Sequence, residues 1–194
     1  GNVLVTSNSA ILTVNSPATI SEQPANLSVC YSGGSSIFSV TSSGGTGFQW
    51  QYATSAAGPW NNVVNATPAG ATYDGATSAS LSVTTTADTP ASGTYFYRVV
   101  VGSSSPCAAV NSSTAQLQIK TPVITATASS SVFCSPGGTA VTLTGSGAET
   151  DGTYSWSPTT GLTGTGALVT ANPTATTTYN VQYTLGACSA NTSV

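Results

Sequence analysis

Apolar and polar positions alternate along this chain with a period of two. In Phe48-Gln49-Trp50-Gln51-Tyr52 three aromatic residues alternate with two glutamines, the pattern of a strand with one dry face and one wet face. The arrangement returns in Tyr154-Ser155-Trp156-Ser157, and two such strands predict two cores. In the first half, Ser35 to Thr41 reads as a strand with Phe38 and Val40 on one face, followed by Ser80-Leu81-Ser82-Val83-Thr84 and the run from Thr94 to Val101. In the second half, Thr139 to Thr144 places Val141 and Leu143 inward, and Leu168-Val169-Thr170 and Thr178-Tyr179-Asn180-Val181-Gln182-Tyr183 follow. Gly33-Gly34, Ser42 to Thr46 and Gly58-Pro59 supply turns between them. The expected fold class is all-β.

The spacing of cysteines and tryptophans divides the chain. Cys30 precedes Trp50 and Cys107 follows it, as Cys134 precedes Trp156 and Cys188 follows it. That is the order of a small sheet sandwich with a tryptophan at its centre. A chain of 194 residues accommodates two domains of about 100 residues, expected at 15–120 and 121–194. The linker Lys120-Thr121-Pro122 is short and stiffened by proline, so the domains are expected to stand end to end with limited bending. Trp156 to Cys188 is much shorter than Trp50 to Cys107, which predicts that the second domain lacks the hairpin carrying Trp60.

Residues 1–14 are expected to be the closing strand of a neighbouring domain. Ser9-Ala10-Ile11-Leu12-Thr13-Val14, followed by Asn15-Ser16-Pro17, matches Thr114-Ala115-Gln116-Leu117-Gln118-Ile119, followed by Lys120-Thr121-Pro122. Cys188 is followed only by Ser189-Ala190-Asn191-Thr192-Ser193-Val194, which predicts that the second domain lacks its last strand. Two readings stay open. The chain is a window of a longer array of tandem repeats, or it is a filament subunit whose residues 1–14 complete the second domain of the next chain by strand exchange.

Ser92-Gly93-Thr94-Tyr95-Phe96-Tyr97 resembles the strand-F signature of the immunoglobulin superfamily, with Tyr95 at the tyrosine-corner position and Tyr97 where the family has cysteine. Tyr179 and Val181 hold the matching places in the second half. The partner position on strand B falls near Phe38 or Val40, so hydrophobic contact is expected to replace the inter-sheet disulfide, with Trp50, Trp156, Tyr95 and Tyr179 as core residues. Cys30-Tyr31-Ser32-Gly33-Gly34 and Cys134-Ser135-Pro136-Gly137-Gly138 share their spacing. Together with the tryptophan strands, they resemble the tandem immunoglobulin-like repeats of large secreted or cell-surface adhesins of Bacteroidetes-type bacteria. The resemblance implies two tandem sandwiches, a first domain of variable-like layout and a second of constant-like layout. It also implies export by the type IX route and, for some relatives, adhesion or gliding.

Composition narrows the functions. Charged residues make up 4% of the chain, against roughly 25% in ordinary soluble proteins, and Arg98 and Lys120 are the only cations. Two positive charges cannot track a phosphate backbone or an anionic membrane surface, so neither nucleic acid nor membrane insertion is expected. Serine and threonine make up about a third of the residues, an extracellular habit. There is no histidine, so neither a Ser-His-Asp nor a Cys-His arrangement can be assembled, and neither enzyme activity nor a cofactor is expected. Glu149 and Asp151 lie in a Gly-rich loop between strands B and C; a solvated turn is preferred there to a glycosidase pair or a calcium site.

Four cysteines without histidine or a CxxC pair point to disulfides in an oxidising compartment. A repeat that carries its own staple pairs Cys30 with Cys107 and Cys134 with Cys188, each bond contributing on the order of 4 kcal/mol. Geometry opposes that default. The turn before strand B and the turn after strand F lie at opposite poles of a standard sandwich, some 20 Å apart, whereas a disulfide spans about 6 Å between α-carbons. A bond between domains, Cys30 with Cys188, stays open as the alternative.

Exposed aromatics are the remaining route to a ligand. Trp60, Tyr73 and Tyr31 are candidates for a platform that stacks sugars, weighed against Trp60 packing on its own sheet edge. The expected function is a non-catalytic structural or adhesive segment of a long extracellular bacterial surface protein, partnered by neighbouring immunoglobulin-like domains. A filament subunit and a carbohydrate-binding accessory module, with surface glycans as partners, are the alternatives.

Overall fold

The computed structural model describes residues 1, 3, 6, 8–31, 33–64, 70–86, 93–132, 134 and 138–194. Among the motif residues named above, Ser32, Ser92 and Ser135-Pro136-Gly137 lie outside the described residues. Every regular element is a strand, and among the described residues no helix is long and apolar enough to cross a membrane.

The first sandwich is built from β1 (Thr19–Glu22), β2 (Leu27–Cys30), β3 (Ser35–Ser39), β4 (Thr41–Ser43), β5 (Gly45–Ala53), β6 (Asn61–Asn62), β7 (Ala71–Asp74), β8 (Ser80–Thr85), β9 (Gly93–Ser103), β10 (Val110–Asn111) and β11 (Ala115–Lys120). One sheet has the order β2-β11-β9-β5-β6, with β10 beside β9. The opposite layer is β3-β8-β7 with the pair β1-β4. Alternation decides which side chains enter: Leu81, Val83 and Thr85 of β8 and Tyr97, Val99 and Val101 of β9 are buried, and their neighbours less so.

The second sandwich contains β12 (Ile124–Ala128), β13 (Val141–Gly147), β14 (Thr153–Ser157), β15 (Leu162–Thr163), β16 (Leu168–Ala171), β17 (Asn180–Leu185) and β18 (Cys188–Ser193). Its sheets, β12-β13-β16-β15 and β14-β17-β18, have the four-plus-three order of a constant-type immunoglobulin domain. The molecule is therefore two tandem immunoglobulin-like sandwiches, and no described strand pairs across the boundary between β11 and β12. No counterpart of β6 stands in the second domain among the described residues.

The expected loss of the last strand is corrected. Cys188–Ser193 pairs antiparallel with β17 from Leu185↔Cys188 to Asn180↔Ser193. The described residues of 1–14 join no sheet of this chain, and Ile11, Leu12 and Val14 are exposed. The strand exchange pictured above has no missing strand to replace, because β18 holds that position.

Each core is pinned by its tryptophan. Trp50, fully buried, donates its indole N–H to the Ser78 carbonyl at 2.9 Å, tying β5 to the β7–β8 turn in the opposite layer. Trp156 does the same at 2.9 Å with Gly166 in the β15–β16 turn. Where the immunoglobulin family places its disulfide, Phe38 lies 4.9 Å from the Tyr97 ring and 6.0 Å from the Trp50 ring, centroid to centroid. Tyr179 is buried with its hydroxyl donated to the Thr160 carbonyl at 3.2 Å. Tyr95 is half-buried against the first core.

The Tyr73 and Tyr97 hydroxyls share a buried hydrogen bond of 2.9 Å. Burial, and for Tyr73 also the neighbouring Tyr97, pushes both phenols well above the usual value; the bond from Tyr73 partly offsets this at Tyr97. Unfolded, each phenol loses its proton near about pH 10; folded, it keeps it. The unfolded state then binds fewer protons, so stability falls above about pH 10 by up to about 1.4 kcal/mol per pH unit for each phenol. Urea midpoints measured from about pH 9 to about pH 12 should decline with that slope and flatten in the Tyr73→Phe/Tyr97→Phe variant. Equal slopes in the two proteins would contradict the assignment.

Candidate functional site

Strand pairing brings two distant cysteines together. β2 runs parallel to β11 and places Cys30 opposite Lys120, the residue at which the chain leaves the first domain. In the second domain β17 and β18 form a tight hairpin with Leu185 opposite Cys188, and the hairpin faces the first domain. Cys30 and Cys188 are bonded, with their α-carbons 5.4 Å apart and a sequence separation of 158.

The default pairing within each domain is thereby corrected, and the geometric objection to it gives the reason. Cys107 follows Ser103 at the far end of β9, whose near end, Gly93, pairs with Ile119 beside the junction. An eleven-residue strand spans roughly 35 Å, far beyond the reach of one disulfide. Cys134 lies before β13 and Cys188 after β17, at opposite poles of the second domain. Cys107 and Cys134 are free thiols, the first half-buried and the second exposed.

The junction is shaped by Thr85, one of the buried polar residues. Its Oγ1 donates its one proton to the nearer carbonyl, that of Cys30 at 2.8 Å, and accepts from the Gly34 N–H at 3.1 Å, while the Thr85 backbone N–H donates to the Gly34 carbonyl at 2.9 Å. A Cβ on Gly34 would stand 2.6 Å from the Cys30 carbonyl oxygen, so glycine lets the turn close on the cysteine. The Tyr31 N–H donates to the Lys120 carbonyl at 2.9 Å, carrying the β2–β11 pairing one residue further. A cleft beside the bridge is bordered by Tyr31, Lys120, Thr121, Pro122, Ala187 and Ser189. Thr85 was legible in principle: it is the third inward position of Leu81, Val83 and Thr85, and a polar residue at such a position needs a partner.

The other candidates do not assemble. Tyr73 is buried in the first core against Tyr97 and offers no sugar-stacking face, which corrects its assignment as a ligand contact. Tyr31 sits at the junction. Trp60 is half-buried, with the Arg98 guanidinium 4.4 Å over its ring. Arg98 Nε also donates to Gln51 Oε1 at 2.9 Å, and Gln51 Nε2 to Asn62 Oδ1 at 3.1 Å. Trp60 is thus tied to its own sheet edge. Glu149 and Asp151 are exposed in the loop between β13 and β14; the Glu149 carbonyl accepts from Tyr183 and Asp151 Oδ1 accepts from Thr150 at 3.4 Å. Among the described residues no three or more His, Cys, Asp or Glu lie together as a metal would require.

No family model matches the chain, and no curated protein matches it. Among solved structures it is similar to the N-terminal Ig1-2 module of the Drosophila receptor protein tyrosine phosphatase DLAR, at 14% identity over 92% of this chain and 96% of that one, with a TM-score of 0.39. The amphioxus IgVJ-C2 molecule is similar at 16% identity over 86% of this chain and 98% of that one, with a TM-score of 0.40. The immunoglobulin-like assignment rests on the strand order itself.

Thr85→Val keeps the side-chain shape but removes the hydroxyl's bonds to the Cys30 carbonyl and the Gly34 N–H, while the Gly34 carbonyl keeps the Thr85 backbone N–H at 2.9 Å. The expected cost is about 1–3 kcal/mol in denaturant unfolding, with faster reduction of the Cys30–Cys188 bond by dithiothreitol. Unchanged values for both would show that Thr85 does not hold the junction.

Proposed function

We propose that this chain is a non-catalytic, tension-resisting segment of a long extracellular bacterial surface protein, a stalk or adhesin built from immunoglobulin-like repeats. One observation carries the reading: the Cys30–Cys188 bond encloses almost the whole of both domains in a single covalent loop. Force applied at the two ends passes from the first strands through the bridge into β18, so β3 to β17 lie off its path. The low charge and the hydroxyl-rich surface suit an exposed extracellular life, and a bridge of this kind persists in an oxidising compartment.

Pulling from Gly1 and Val194 in optical tweezers tests this. With the bridge intact, unfolding releases only the residues before Cys30 and after Cys188. Reduction should add the enclosed 158 residue steps, on the order of 540 Å at about 3.4 Å per residue. Full extension of the oxidised chain would overturn the proposal.

A further inference from the structure

The outer face of the first domain's large sheet carries a row of side chains whose free groups are donors. Trp50, Tyr97, Val99 and Val101 point into the core, so the residues between them on β5 and β9 point outward. There Arg98 stands opposite Gln51, and Gln51 opposite Asn62. Arg98 Nε donates to Gln51 Oε1, and Gln51 Nε2 to Asn62 Oδ1. A guanidinium can only donate, so it fixes which end of the Gln51 amide faces it, and Gln51 in turn fixes Asn62. Both amide oxygens are thus engaged within the row. Left over are the two terminal nitrogens of Arg98 and Nδ2 of Asn62, which bond to no described residue. Among the described residues no buried side-chain nitrogen lacks a partner, so these donors are open to solvent.

The guanidinium is held in one orientation. The Trp60 ring lies under it at 4.4 Å and the Nε bond sets its rotation, so the planar fork of terminal nitrogens is fixed. Gly58 makes room for the ring, since its φ is +92° and a Cβ there would stand 2.9 Å from Trp60 Cδ1. Among the described residues no carboxylate answers the charge. Glu22 accepts from Thr41, Asp74 lies on β7 in the opposite layer, and Glu149 and Asp151 belong to the second domain. Asp88 lies outside the described residues. The chain has a net charge of −3 and two cations, of which Lys120 stands at the junction. Arg98 is therefore an isolated positive charge among neutral amides. A fixed, donor-only fork with a full positive charge is the complement of a carboxylate, which only accepts.

We propose that this face binds a uronic acid residue of a glycan, with Arg98 as the bidentate contact to its carboxylate and Asn62 Nδ2 as a second donor. Phe96 and Val100 flank Arg98 on the same face, half-buried and not packed against the first core, and offer apolar surface to the C–H face of a sugar ring. Phe96 and Arg98 stand about 7 Å apart along the strand, which suits a carboxylate carried directly on the ring. Trp60 holds Arg98 in this arrangement instead of stacking the sugar. The face favours sugar over peptide: β9 lies between β11 and β5, and β5 between β9 and β6, so no free strand edge beside Arg98 lets a peptide add main-chain bonds. The site rests on the adhesin reading and names its ligand class. The two fail separately, since pulling interrogates the bridge and sugar binding the outer face of β9.

Calorimetric titration of the intact chain compares tetragalacturonic acid with its methyl ester. The acid should bind at least about tenfold more tightly, which corresponds to about 1.4 kcal/mol. Asn62→Asp, at an exposed position, keeps an acceptor oxygen for Gln51 and sets a like charge beside the bound carboxylate. It should abolish that preference with the melting temperature unchanged. Arg98→Lys keeps the charge without the fork and should weaken binding of the acid by about tenfold. Equal binding of acid and ester, or no binding of the acid at millimolar concentration, would overturn the proposal. A preference that survives both variants would show that the row is not the site, and tetraglutamate binding as tightly as the acid would contradict the assignment to sugar.

Discussion

The parallel pairing of β2 with β11 is the constraint from which the junction follows. It carries Cys30 to the point where the chain leaves the first domain, opposite Lys120, and the tight β17–β18 hairpin brings Cys188 back to meet it. Two covalent links then run side by side between the sandwiches, the linker and the disulfide, and the swivel that a single short linker permits is removed. Closing a loop of this length withdraws conformational freedom from the unfolded chain worth about 5 kcal/mol on the chain-entropy account. The sandwiches and their contact share that stabilisation.

This use of cysteine depends on cores that hold without it. The immunoglobulin family ties its two sheets with a disulfide between strands B and F. Here Phe38, Tyr97 and Trp50 fill that space, and each tryptophan reaches across to a carbonyl of the opposite layer. Aromatic pairs contribute about 0.5–1.5 kcal/mol each beyond burial and a hydrogen bond about 1 kcal/mol. Their sum is comparable to the roughly 2–4 kcal/mol of a typical disulfide. With the sheets secured by aromatic packing, Cys30 and Cys188 are left to stand at the junction, where they join domain to domain.

The cores were legible because alternation places Trp50, Phe38, Leu81 and Val83 on inward faces by local rules alone. The last strand was not: Cys188-Ser189-Ala190-Asn191-Thr192-Ser193 has small or polar residues at its inward positions, and its pairing with β17, not its composition, makes it a strand. Tyr73 was ambiguous for a related reason, since Ala71-Thr72-Tyr73-Asp74 alternates without showing which face meets the core. The cysteine pairing is a property of the fold as a whole. It depends on β2 crossing to lie parallel to β11, which no local pattern records, although the incompatible poles of Cys30 and Cys107 could be argued from standard sandwich dimensions. Thr85 shows the intermediate case, a position legible as inward whose partners appear only once β8 and the Cys30 turn are placed together.

Disulfide mapping of the oxidised, non-alkylated monomer tests the central claim most directly. The account predicts a single bond, Cys30–Cys188, with Cys107 and Cys134 recovered as free thiols. Recovery of Cys30–Cys107 or Cys134–Cys188 would contradict it, and with it the covalent loop that encloses both domains.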